Sequence, residues 1–335
     1  MRSLRSGQLF ALLVLMRIFA LFCTTVPFSA AGIGGALLSS ALQAVLLLAV
    51  CALYDTGFAA TRDMRPPWLL AVYGIFFLCW GARLLLRLWE VASGITFPVQ
   101  NKLLGALLLA LVCLYASYLG LKSIARGATI VFALLLVCLG ILLLGAYAQF
   151  APENLLPAGS GVLKAFWQDL CDSGGIVSAF CLCGFVKEHR RRAVLGAVAV
   201  SFAILLLLSL LGMGVLGRLV EVADYPFFTL GAFSQPFSTQ RADAIYVVVF
   251  TLLGTVSIAL QIRLAAYVLT ELCPRCPYKN AVVTVLLLVL AFCMHRFLRM
   301  AWLGAAGVVL LLGVVPCLLW CVGRFSKRSK KEVQS

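Results

Sequence analysis

Cys171-Asp172-Ser173-Gly174-Gly175 interrupts an apolar run that extends from Val162 to Val186. A membrane span should not hold an acid beside two glycines. In lipid every backbone N–H and C=O must be satisfied internally, so unwound backbone at membrane depth persists only where protein or a water-filled cavity covers it. Interrupted helices of this kind mark the binding sites of transporters. This stretch therefore sets the reading of the chain: a membrane bundle with a helix broken at a candidate ligand site.

Outward from it, the 335 residues are 63% hydrophobic and 12% charged, too few charges to cover a soluble globule of this length. Taking runs of about 17–25 apolar residues as spans predicts helices near 9–25, 33–53, 68–93, 103–121, 127–149, 162–186, 193–216, 243–271, 281–298 and 300–323. The expected fold class is all-α, a polytopic membrane protein with about ten transmembrane helices. A single permease-like bundle over 1–323 and a basic cytoplasmic tail over 324–335 account for the chain. The first thirty residues also have the cast of a signal peptide, with Arg2, Arg5, an apolar core from Leu9 and then Ser29-Ala30-Ala31. Their removal would leave nine spans and break the alternation of charge described next, so they are read as the first span.

The formal net charge of +15 is explained by where the charges lie. Sorted by alternating side from a cytoplasmic N-terminus, seventeen of the 27 Lys and Arg residues fall on one side, six on the other, and Arg17, Arg83, Arg87 and Arg263 lie within spans. This asymmetry follows the positive-inside rule and predicts that both termini are cytoplasmic. The partner implied by the charge is the lipid bilayer, with no call for nucleic acid. Most of the 13 cysteines sit inside apolar runs, where they act as small hydrophobes. Cys273-Pro-Arg-Cys276 has the spacing of a redox pair or half a zinc site, yet no second pair accompanies it. The two histidines lie far apart, and no nucleophile-base-acid set, acid dyad or glycine-rich phosphate loop occurs. The sequence gives no grounds for an enzyme, a cofactor or a metal site.

The first span is interrupted by Arg17 and then Thr24-Thr25-Val26-Pro27, the sixth by Asp172 to Gly175. Interruptions at corresponding positions of two halves predict a five-plus-five inverted-repeat transporter fold with broken first and sixth helices. The segment from Asp224 to Asp243 is too aromatic to lie free in water and too broken by Pro226, Gly231 and Pro236 to span. It is expected to form a short re-entrant or membrane-surface hairpin over the outer end, or else an interfacial loop with aromatic anchors.

The candidate ligand-binding residues are Arg17, Thr24, Arg83, Arg87, Asp172, Ser173, Gly174 and Gly175. Arg83, Arg87 and Glu90 fall on one stripe of the third span. A charge at the bilayer centre costs about 2.5–3.5 kcal/mol, so such a stripe must face protein. Arg87 and Glu90 can pair at i,i+3, leaving Arg83 for another partner or a ligand carboxylate. Equally, the stripe can be structural glue, with both arginines snorkelling to the interface. Asp172 is the acid expected at the depth of Arg17 and Arg263. A half-helix starting at Ile176 would present free N–H groups and a positive dipole end to a carboxylate, with an ammonium near Asp172. A simple glycine kink capped by Asp or Ser is the alternative.

Ser6-Gly7-Gln8-Leu9, Gly94-Ile-Thr-Phe-Pro98, Tyr118-Leu-Gly-Leu-Lys-Ser-Ile-Ala-Arg126, Tyr225-Pro226 and Gln240-Arg-Ala-Asp243 carry a resemblance over nearly the whole chain. It resembles the spore germination permeases, the B subunits of nutrient germinant receptors, a ten-span branch of the amino acid/polyamine/organocation superfamily. Three departures stand out: Gln240 where the family often has Glu, no acid at Gly174 or Gly175, and Arg17 where a small residue is usual. The resemblance implies a receptor subunit in the cell membrane or the endospore inner membrane. It would sense a small nutrient, an amino acid, together with an A subunit and a lipoprotein C subunit, and would trigger ion release and germination. A working amino acid permease is the alternative.

Overall fold

The computed structural model describes residues 4–23, 30–55, 67–95, 102–155, 161–217, 219–223, 225–234, 243–296 and 302–319. No strand occurs among them. The first five spans are α1 (Ser6–Phe22), α2 (Ala30–Asp55), α3 (Pro67–Ile95), α4 (Lys102–Tyr118) and α5 (Leu121–Ala146). The sixth is broken into α6 (Val162–Asp172), a 3-10 turn at Gly174–Val177, and α7 (Ser178–Cys183). Then come α8 (Arg190–Leu216), the short α9 (Pro226–Phe233), α10 (Asp243–Leu272), α11 (Lys279–Arg296) and α12 (Leu303–Leu319). Six of these helices are long and apolar enough to cross a membrane, and shorter apolar helices supply the remaining four spans. The ten expected spans are thus present, with ends displaced by a few residues. The basic tail over 324–335 lies outside the described residues.

Burial sorts the helices into a centre and a rim. In α1, Leu9 and every residue from Ala11 to Phe22 are buried, as expected of a helix that is apolar on all sides and so belongs in the core. It packs against α5, α8 and α10. Its counterpart in the second half is the broken pair α6 and α7. The third spans of the two halves, α3 and α10, pack against each other. The rim helix α4 exposes Leu104, Leu107, Leu108, Leu111 and Val112, a face suited to lipid. Two ends turn sharply. Gly120 joins α4 to α5 at φ 87°, a backbone conformation that favours glycine. At the start of α1 the Arg5 N–H donates to Gln8 Oε1 at 3.1 Å.

Small residues let the broken span sit close to its neighbours, the usual basis of helix association in lipid. On α2, Gly35 lies against the α6 backbone at Ala165 and Phe166, and on α12 Gly304 lies against the Cys171 carbonyl. Beyond Gly304, α12 widens into a π-helical stretch at Gly307–Val314. The Tyr73 hydroxyl donates to the Leu311 carbonyl there at 2.6 Å, a local deviation of the kind that accompanies functional sites.

Two expectations are refined. The first helix continues without a break through Arg17 and stops at Phe22; Thr24-Thr25-Val26-Pro27 lies outside the described residues. In the aromatic segment, α9 opens with Pro226 at its first turn and buries Phe227, Phe228 and Leu230, while Asp224 and 235–242 lie outside the described residues. Phe227 stacks on Phe22 at 3.7 Å between centroids, and Phe228 meets Phe250 edge-on at 5.1 Å. Helix α9 is therefore a packed cap on the end of α1 and α10, held by rings.

Candidate functional site

The break leaves α6 carbonyls without helical donors, and arginines from the first half take them. Ser173, at φ −88° and ψ 4°, ends α6, so the chain resumes only in the tighter 3-10 turn. Ser173 Oγ donates back to the Asp169 carbonyl at 2.6 Å, and Arg17 Nη1 reaches the same carbonyl at 3.4 Å. Arg83 Nη1 donates to the Cys171 carbonyl at 3.3 Å. Cations at these carbonyls also suit the negative end of the α6 dipole.

Two clusters of charge flank the break. In the first, Arg17 forms an ion pair with Asp169 at 2.5 Å and donates to Ser173 Oγ at 2.6 Å, with side chains only 7% and 5% exposed. The Gln43 amide, from α2, donates to the same Ser173 Oγ and to Ser39 Oγ, both at 2.8 Å. In the second, Arg83 and Arg87 both reach Asp172 Oδ1, at 3.0 and 2.6 Å. Arg83 also lies over the Trp80 ring, 5.3 Å from its centroid.

These pairings correct three expectations. The partner of Arg17 is Asp169 and not Asp172, because one helical turn separates the two acids and only Asp169 faces α1. Arg87 pairs with Asp172 across the bundle in preference to Glu90 on its own helix. Glu90 instead lies 3.8 Å from His295 at an exposed position. Arg83 is likewise engaged by Asp172 instead of being left over. Arg263 Nε on α10 has no hydrogen-bond partner among the described residues. Thr24 lies outside the described residues.

Gly174 and Gly175 pack under aromatic and thioether cover. A Cβ on Gly174 would come 2.7 Å from the Trp80 ring, and one on Gly175 would come 3.2 Å from Met16 Cβ. Residues that the sequence reading passed over complete the surroundings: Asp169, Gln43, Ser39, Trp80, Ser178 and Gln261. Gln261 Nε2 donates to Ser178 Oγ at 2.9 Å. Gln43 and Gln261 carried a usable signal, since each is a lone amide within an apolar span and is almost wholly buried. Arg17 also lines a very small cavity, about 10 Å³, with Ser40, Gln43, Ile176 and Ser201. Among the described residues no group of three or more His, Cys, Asp or Glu could hold a metal ion.

The arrangement joins the two halves of the bundle by ion pairs at a break that carries both polar backbone and compact glycines. Residues 68–299 match the family described as spore germination protein. Two solved structures share the fold over 94% of this chain. One is Mhp1 in an inward-facing conformation, 17% identical, 76% of that chain covered, TM-score 0.60. The other is Mhp1, described as a nucleobase-cation-symport-1 family transporter, in a closed conformation with bromovinylhydantoin bound; it is 18% identical, 78% covered, TM-score 0.63. At such identities the likeness is one of fold, the five-plus-five inverted-repeat transporter fold. No curated protein sequence matches the chain.

Proposed function

As the chain belongs to the spore germination protein family, a family of permease-like membrane proteins, we propose that it is the membrane subunit of a spore nutrient germinant receptor. In this reading it binds a small nutrient, an amino acid, at the broken sixth span and so triggers germination with an A subunit and a lipoprotein C subunit. The observation that carries it is the shared carboxylate: Arg83 and Arg87 of α3 converge on one oxygen of Asp172 at the end of α6. An amino acid is a zwitterion complementary to that set. Its carboxylate takes a guanidinium and its ammonium takes Asp172, so it inserts between groups that already pair. Each charge keeps a partner during the exchange, as a poorly exposed ion pair requires. The exchange loosens the tie between α3 and the broken span, and that is the trigger.

Gly174→Leu and Gly175→Leu test the site. A leucine side chain displaces Trp80 or Met16 from the turn, so both variants are expected to reach the membrane and lose the nutrient response. Normal dose responses in both would remove the broken span as the site. The second reading, a working permease, uses the same pocket. Accumulation of radiolabelled amino acid in vesicles that hold this chain alone would favour it over the receptor.

A further inference from the structure

Two buried polar atoms beside the break have no hydrogen-bond partner among the described residues: the donor Trp80 Nε1 and the acceptor Gln261 Oε1. Their residues are 1% and 0% exposed. Leaving such groups unpaired in a dry interior is costly, so a protein that retains them calls for an explanation. Their setting supplies one. Trp80 Nε1 lies 3.5 Å from where a Gly175 Cβ would stand, and Met16 Sδ lies 3.8 Å from that same point. Met16 Sδ is in turn 3.6 Å from Gln261 Nε2. The Gln261 amide turns its nitrogen to the Met16 thioether, which only accepts, and to Ser178 Oγ. Gln261 presents its oxygen unpaired, Trp80 presents its N–H unpaired, and the Met16 thioether beside Gln261 and Gly175 is a flexible group that moves aside without breaking a strong bond.

Resting on the ligand site proposed above, we infer that the nutrient it takes has a carboxamide side chain. A primary amide accepts from Trp80 N–H with its oxygen and donates to Gln261 Oε1 with its nitrogen. An aliphatic side chain of the same size leaves both groups unpaired. A carboxylate accepts from Trp80 but sets oxygen against the Gln261 oxygen. A cationic side chain meets the guanidinium of Arg83, which covers the Trp80 ring. That same guanidinium places the ligand's α-carboxylate and its side chain at adjacent positions.

The test compares L-asparagine with its near-isosteres L-leucine and L-aspartate by the concentration for half-maximal germination of spores carrying the intact receptor. L-asparagine should act at a concentration at least ~10-fold lower than either, the scale of one or two buried hydrogen bonds. Trp80→Phe, and separately Gln261→Leu, should raise the L-asparagine requirement by ~10- to 100-fold and leave that for L-leucine nearly unchanged. Equal potency of L-asparagine and L-leucine in the wild type overturns the inference whether or not either variant assembles. So does an unaltered ratio in a variant of normal membrane abundance. If Gly174→Leu abolishes the response to every amino acid while the ratio shows no carboxamide preference, the site stands and the ligand class falls. A normal response in the Gly174→Leu and Gly175→Leu variants removes the site itself.

Discussion

Arg17 and Asp169 are each other's charge partner at positions almost closed to solvent. Removing one partner of such a pair leaves an uncompensated charge, at a cost of about 3–5 kcal/mol, whereas removing both is often close to neutral. Asp169→Asn should therefore lower the amount of assembled protein in the membrane fraction, and Arg17→Met with Asp169→Asn should recover most of it. A double variant as scarce as the single would mean that the pair does more than neutralise charge. Arg83→Met is a different case, because Asp172 keeps Arg87 at 2.6 Å. It should assemble normally and lose nutrient sensitivity by ~10- to 100-fold, the scale of a charged hydrogen bond of about 1.5–3 kcal/mol. A fall in abundance without that loss would assign Arg83 to structure.

Between elements, the contact of α12 with the break is made of backbone, and backbone does not yield. A Cβ on Gly304 would overlap the Cys171 carbonyl, the same carbonyl that accepts from Arg83. Gly304→Val should thus cause severe loss of membrane abundance, while Gly140→Val, with nothing within 4 Å of its Cβ, should be tolerated. Equal abundance of the two would place α12 away from the break. The spans themselves were legible in the sequence because their apolar length is set by the bilayer, and the break because Asp172-Ser173-Gly174-Gly175 violates that rule. The partner of each charge was not legible. Arg87 and Glu90 satisfy the local i,i+3 rule, yet the end of α6 brings Asp172 within 2.6 Å of Arg87. The roles of Trp80, Gln43 and Gln261 arise only when α2, α3 and α10 converge on the turn.

Across the whole molecule, charge decides orientation. The end of α2 meets the start of α8, where Asp55 lies 2.6 Å from Arg191 and 3.7 Å from Arg190. The N-terminal segment joins the same end, with the Leu4 N–H donating to the Phe185 carbonyl at 2.9 Å. This end holds the run Arg190-Arg191-Arg192, part of the group of seventeen cations that the sequence reading assigns to one side, against six on the other. Inverting the bundle would carry that larger set across the membrane, against the bias that sets topology. The expectation that both termini are cytoplasmic is open to a direct test. On a cysteine-depleted background, an impermeant thiol reagent added outside should label a cysteine substituted for Ser238 and spare one substituted for Ser329. The two positions lie on opposite sides only if an odd number of spans, three in the ten-span reading, separates them. Labelling of Ser329→Cys with Ser238→Cys spared would invert the molecule, and labelling of both would break the count of ten.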